Sequence, residues 1–264
     1  DKQDDVQRKT FTKWINSCLN GRSYGVVVDL FDDIKDGVLL LNLLMTLSNE
    51  KLPIEKGDKN GKTKRIHHIS NIGTALAYLR NKQIKLVNIN ASDVADGKPS
   101  IVLGLIWTII LHFQVKKVHL SCQQLKQPQQ QPQQHAKITL TKPATTSKPL
   151  AKSIATSDKE PKEKLLSWIN ESISKKYGLE VKDFGKSWRD GIAFNALLHT
   201  LDPHVVDIKT VSGSSAASSG KENLEKIFSV AENFFGIPKL LDPEDVDVDN
   251  PDERSIMIYV SKVI

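Results

Sequence analysis

The feature that most constrains this chain is an internal repeat. The stretch DGVLLLNLL, from Asp36 to Leu44, returns as DGIAFNALL from Asp190 to Leu198, 154 residues on. Trp14-Ile15-Asn16 recurs as Trp168-Ile169-Asn170 at the same spacing. Asn71-Ile72 then pairs with Asn223-Leu224, Asp93-Val94 with Asp245-Val246 and Ser100-Ile101 with Ser255-Ile256, each within two residues of that offset. Ordered matches with small slips mean two copies of one domain of about 105–115 residues. We place the domains at residues 6–118 and 161–264, with a linker at 119–160.

Within each copy the period is helical. Phe11, Trp14, Ile15, Cys18 and Leu19 form one apolar face, and Leu165, Trp168, Ile169 and Ile173 repeat it. Asp36 and Asp190 are placed to accept backbone N–H bonds at the start of the apolar runs Val38–Leu47 and Ile192–Leu201. A third helix is expected over Ile66–Leu79 and over Lys221–Phe235. A fourth, Ser100–Lys117, follows Pro99 and is apolar nearly all round, as suits a central helix. No alternating strand pattern is present. The expected fold is all-α, two tandem domains of four main helices each with short extra turns. Phe11, Trp14, Ile15, Trp168 and most apolar residues of Ile101–Phe113 are expected in the cores.

The linker, rich in Gln, Pro, Thr, Ser and Lys, has no periodicity and reads as a disordered connector with a reach on the order of 35 Å. It would let the domains pack, separate or exchange into a domain-swapped dimer. Charge is unevenly placed. Residues 1–118 hold 18 Lys/Arg against 12 Asp/Glu, and residues 161–264 hold 13 against 17. The basic front half points to an acidic partner.

Several function classes are disfavoured. The two cysteines, Cys18 and Cys122, form no CxxC pair, so a reducing, cytosolic setting fits. The opening DKQDDVQRK has no apolar signal region, and the eleven apolar residues Ile101–Leu111 are too few to span a bilayer, so no transmembrane segment is expected in this fragment. His67-His68 lack further ligands at metal spacing. In DPEDVDVDNPDE, an EF-hand reading started at Asp245 would put Asn250 where glycine is needed and Ile256 where glutamate is needed, so neither calcium nor another metal is expected. Those acids are expected to cap and precede the last helix. No phosphate-binding loop, nucleophile elbow or catalytic constellation occurs, so no cofactor and no enzymatic activity are expected. No nucleic-acid reader motif occurs either. The insertion SGSSAASSG, Ser212–Gly220, reads as a mobile loop.

The residues QRKTFTKWIN (Gln7–Asn16), LVNINASDVADGKPSIVLGLIWTII (Leu86–Ile110), DFGKSWRDGIAFNALLH (Asp183–His199) and LLDPEDVDVDNPDERSIMIYV (Leu240–Val260) resemble the tandem calponin-homology heads of the spectrin superfamily. Among such heads the chain is most similar to those of nesprins, which connect the nuclear envelope to actin. The resemblance implies an F-actin-binding head whose first domain supplies most binding while the second modulates it through a closed–open equilibrium. It implies a cytoplasmic, cytoskeletal location, at the outer nuclear membrane through regions outside this sequence. It also implies filament contacts on the opening helix and the last helix of the first domain and on the opening helix of the second, Lys164 to Lys175. Of these we single out Arg8, Lys9, Thr12, Lys13 and Asn16 on the first helix and Ser100, Thr108, His112, Lys116 and Lys117 on the last. In the second copy Lys9 becomes Glu163 and Lys13 becomes Ser167, so an acidic filament would favour the first copy. Lys116, Lys117 and the linker lysines could also meet phosphoinositides at a membrane surface. Trp107 and Trp188, matched by Lys262 and Ile34 in the other copy, are expected to form an interdomain latch with Arg189, which is matched by Lys35.

Overall fold

The repeated Asp-Gly pair sets the geometry of both halves. In the computed structural model, which describes residues 2–57, 62–117, 159–207 and 219–264, Asp36 Oδ1 accepts the Val38 N–H at 2.8 Å and Asp190 Oδ1 accepts that of Ile192 at 2.9 Å. Each glycine then turns left-handed, with φ 76° at Gly37 and 78° at Gly191. The third helix of each domain presses against that turn. Asn71 Nδ2 donates to the Asp36 carbonyl at 3.1 Å, and Asn223 Nδ2 to that of Asp190 at 3.2 Å. A side chain at position 37 would put its Cβ 2.7 Å from Asn71 Cβ and 2.8 Å from the Ile72 nitrogen. The glycine is therefore required both for φ and for close approach.

The first domain runs α1 (Lys2–Leu19), α2 (Leu30–Asp33), α3 (Val38–Ser48), α4 (Arg65–Asn81), α5 (Ala91–Ala95) and α6 (Pro99–Ile110). The second runs α7 (Lys159–Tyr177), a 3₁₀ turn at Lys186–Trp188, α8 (Ile192–Leu201), α9 (Gly220–Phe235), α10 (Pro243–Val246) and α11 (Glu253–Val263). The described residues contain no strand, in keeping with the all-α expectation. Residues 119–158 of the expected linker and most of the Ser212–Gly220 insertion lie outside the described residues, while the linker's last two expected residues, Lys159 and Glu160, instead open α7.

The Trp-Ile-Asn repeat has a division of labour. Trp14 and Ile15 are fully buried, and Phe11 lies 6.4 Å from Trp107, ring to ring and nearly parallel. Ile169 is equally buried, but Trp168 is only partly covered and packs at the core's edge. The asparagine secures the loop that follows. Asn16 donates to the Val27 carbonyl at 2.9 Å and accepts the Val27 N–H at 2.8 Å; Asn170 does the same for Val181 at 2.8 and 2.9 Å. Both loops thus have their buried polar backbone satisfied by one side chain.

The last helix of the first domain departs from expectation. Rather than one α-helix to Lys117, α6 ends at Ile110 and a π-helical turn covers Leu111–Val115. The wider turn buries Val115 while leaving Gln114 to reach the second domain, where its Nε2 donates to the Ser261 carbonyl at 2.9 Å. The second domain rests on α1 and on this π turn through α11.

Candidate functional site

Lys9 and Lys13 stand one turn apart on α1, and both point at the second domain. Lys13 Nζ donates to Asp242 Oδ1 at 2.6 Å. Lys9 Nζ reaches Asp242 Oδ2 at 3.4 Å and makes a shorter bond to Asp245. Asp242 precedes the short α10 and Asp245 lies within it; the helix's first residue, Pro243, needs no N–H partner. Burial alone would raise the Asp242 carboxyl, but the bonds and charges of Lys13 and Lys9 outweigh it and hold its pKa below the ordinary value. For Lys9, burial opposes the charge, and Asp245 with Asp242 more than compensates, so its pKa lies above the usual lysine value.

Two residues before Lys9 the contact becomes dry. Gln7 and Asp252 are both buried, and Gln7 Nε2 donates to Asp252 Oδ1 at 2.8 Å. The other carboxylate oxygen, Oδ2, caps α11 by accepting the Ser255 N–H at 2.8 Å and its hydroxyl at 2.6 Å. Asp252 thus starts a helix and receives a neighbouring domain at once. Further along, the Arg254 guanidinium lies 5.1 Å from the centroid of the Trp107 ring, a cation–π arrangement.

The expected latch is therefore redrawn. Trp107 does meet a cation from the second domain, but that cation is Arg254. Trp188 is fully buried in its own domain, between Phe184 and Phe194, with its indole N–H donated to the Asp183 carbonyl at 2.8 Å. Arg189 pairs with Asp247 at 3.4 Å and Asp249 at 3.3 Å, both in its own domain. Trp188 stays away from Trp107 because the turn before α8 packs its aromatic inward, while Arg189 lines a separate cleft with Lys2, Gln3 and Val6 of α1.

The remaining candidates fall into two groups. On α1, Arg8 pairs with Asp5 at 3.6 Å, and the Thr12 hydroxyl donates to the Arg8 carbonyl at 2.7 Å. Asn16, expected as a partner contact, is committed to Val27, and its twin Asn170 does the same work in the other copy, so the residue serves the fold. On the last helix, Ser100, Thr108, His112 and Lys116 line one groove with Trp107, and Arg254, Glu160 and Pro161 of the second domain form its far wall. Lys117 is exposed just beyond. Burial first, then Lys116 and Lys82, push the His112 pKa down, so this imidazole offers hydrogen bonds rather than charge near neutral pH. Thr108 donates its hydroxyl to the Gly104 carbonyl at 2.8 Å.

Among the described residues no group of three His, Cys, Asp or Glu side chains is gathered to hold a metal. Of the acids weighed for calcium, Asp245 serves Lys9, while Asp247 and Asp249 serve Arg189. No helix among the described residues is long and apolar enough to cross a membrane.

Sequence reasoning missed Asp242, Asp245, Gln7 and Arg254 as interface residues. The signal was present in the charge asymmetry: the acidic partner of the basic first helix is, in this conformation, the acidic second domain.

Comparison with known proteins agrees with this architecture. The chain is 43% identical over 266 residues to Nesprin-2 of Mus musculus and 39% identical over 264 residues to Microtubule-actin cross-linking factor 1 of Rattus norvegicus. Each alignment covers 100% of this chain but only 4% of the relative. The actin-crosslinking core of Schizosaccharomyces pombe fimbrin shares the fold, with a TM-score of 0.69 at 19% identity, over 99% of this chain and 48% of that one. The family model for the calponin homology (CH) domain matches residues 5–115 and again 159–264. The chain belongs to the calponin homology family and carries its domain twice, in tandem.

Proposed function

We propose that this chain is a non-enzymatic F-actin-binding head, held closed by its own second domain. The observation that carries the reading is the pairing of Lys9 and Lys13 with Asp242 and Asp245. These cations are the ones the second copy replaces by Glu163 and Ser167, and carboxylates occupy them in the closed arrangement. An acidic filament surface presents the same chemistry, so it competes with Asp242 and Asp245 for the same amines. The actin-crosslinking core of fimbrin and the Microtubule-actin cross-linking factor are both named for actin, and they support the choice of filament. The nesprin resemblance supports a cytoskeletal location and, for a longer protein, a link to the nuclear envelope.

The test is co-sedimentation with F-actin of the whole chain and of Asp242→Lys/Asp245→Lys. The variant keeps every first-domain cation and repels them from the second domain. It should bind more tightly than the parent and show a larger radius of gyration by small-angle scattering. Equal affinity in an opened variant would remove the masking role.

A phosphoinositide-responsive surface is a second reading, favoured by the groove that gathers Lys85, Lys116 and Arg254 against a single carboxylate, Glu160. Flotation with vesicles that contain or lack phosphoinositides distinguishes it.

A further inference from the structure

The loops secured by Asn16 and Asn170 are the same device with opposite surfaces. Val27 and Val181 both point into the core. In the second copy the flanking residues are Glu180 and Lys182, exposed and ion-paired at 3.5 Å. In the first copy they are Val26 and Val28, 78% and 85% exposed. Val26 and Val28 thus stand in water on either side of the buried Val27. Two β-branched side chains are left in water where the sister domain carries a soluble ion pair, and such a paired apolar exposure marks a contact surface more than a folding need.

The position says which contact. Lys9, Lys13 and Asn16 follow one another at i, i+4 and i+7 along one side of α1, and Asn16 holds the Val27 backbone. The valine edge is thus the far end of the lysine stripe. The second domain covers the near end through Asp242 and Asp245, whereas Val26 and Val28 stay open. Lys9, Lys13 and the two valines also go together: the first copy has all four, and the second has Glu163, Ser167, Glu180 and Lys182 at the matching positions.

We infer that the Val26–Val28 edge is an apolar foothold for the actin filament, available while Lys9 and Lys13 are still held by the second domain. The inference rests on the filament reading above. The valines would engage an apolar patch of the filament first, and the lysines would follow as the second domain gives way. Because apolar contact is not screened by salt, this part of the affinity persists when the lysine part fades.

The test is the full chain with Val26→Glu/Val28→Lys, which installs the second copy's residues on a backbone that already carries them elsewhere in the molecule. Exposed substitutions of this kind leave the melting temperature nearly unchanged. Affinity for F-actin should fall about tenfold, at low and at high salt alike, as expected for burial of two aliphatic side chains. Val26→Ile/Val28→Ile should retain it. If the glutamate–lysine variant loses helicity, Val26→Thr/Val28→Thr is read in its place.

Failure of the parent chain to pellet with F-actin overturns the filament reading and this inference with it. Unchanged affinity in the variant, beside a parent that pellets, overturns the inference alone. If sedimentation velocity instead shows that the substitutions dissociate a dimer of the parent without changing filament affinity, the edge joins two copies of this chain and the foothold is wrong.

Discussion

The opening helices of the two domains share a core face and differ on the outside. Helix α1 buries Phe11, Trp14 and Ile15, and α7 buries Leu165, Ile169 and Ile173. Outside, α1 carries Lys9 and Lys13 into the carboxylates of Asp242 and Asp245, while α7 spends its charges on nearby partners, Lys164 with Glu160 at 2.5 Å and Lys162 with Glu253 at 2.6 Å. What the copies share is fold, and what they do not share is contact. The same logic separates Gly37 from Lys9: the glycine is repeated, the lysine is not.

The largest expected effect lies in the shared part, and it measures how alike the copies are. Gly37→Ala forces a left-handed residue to carry a Cβ that collides with Asn71 and with backbone at Ile72. Strain and overpacking together should cost about 3 kcal/mol. At Gly191 the nearest atom, Asn223 Cβ, is 3.2 Å away, so alanine there should cost less. Thermal unfolding of the whole chain should show Gly37→Ala lowering its transition further than Gly191→Ala. Equal shifts would mean the two turns are equally packed.

The next effect lies in the unshared part. Lys9→Glu/Lys13→Glu breaks the interdomain pairs just as Asp242→Lys/Asp245→Lys does, so both variants should expand in scattering. Only the first removes the cations that a filament would meet. Its affinity for F-actin should drop by about tenfold or more, roughly 1.4 kcal/mol, while the aspartate variant gains. The two domains therefore differ in function only if two equally opened heads bind differently. If both variants bind alike, the lysines matter for closure and not for the filament.

A smaller effect tests which arginine holds the neighbouring domain. Arg254→Ala removes the cation over Trp107, an interaction of about 0.5–2 kcal/mol, and should shift the head toward the open form. Arg189→Ala removes partners from Asp247 and Asp249 within one domain and should leave compactness unchanged. Small-angle scattering on both variants decides it. Expansion with Arg189→Ala alone would restore the latch expected from sequence.

These comparisons also show what the sequence could carry. Periodicity and the repeat together located the long helices among the described residues, because a helix face with Phe11, Trp14 and Ile15 in register has few other ways to bury them. The Asp-Gly repeat predicted its own cap. The interface was not legible, because its residues read as something else in isolation. Asp252 reads as a helix cap, and it is one, yet its second oxygen serves Gln7. Asp242 and Asp245 read as loop acids in a run that invites a calcium reading. Asn16 read as a surface polar residue on a binding helix, although its repetition as Asn170 could have assigned it to the fold. Trp188 shows the opposite failure. Its absence from the other copy suggested contact, but the second domain simply builds its core with Phe184, Trp188 and Phe194 at that place. Difference between copies is necessary for a specific role and not sufficient for one.

The smallest expected effect is a null one, and it constrains the charge pairs most directly. Asp242 has a pKa below its ordinary value, so its contribution to closure is complete above the unfolded carboxylate range, about pH 4, and is lost as pH falls through the lowered value. Lys9 has a raised pKa, so its contribution is complete below about pH 10 and is lost only as pH rises through that raised value. Neither group titrates between these limits. The radius of gyration should therefore be flat from about pH 6 to pH 8, while added salt, which screens these half-exposed pairs, should expand the head. A transition near neutral pH would mean that another group controls closure, and His112, beside the Arg254 contact in the same groove, would be the first residue to replace.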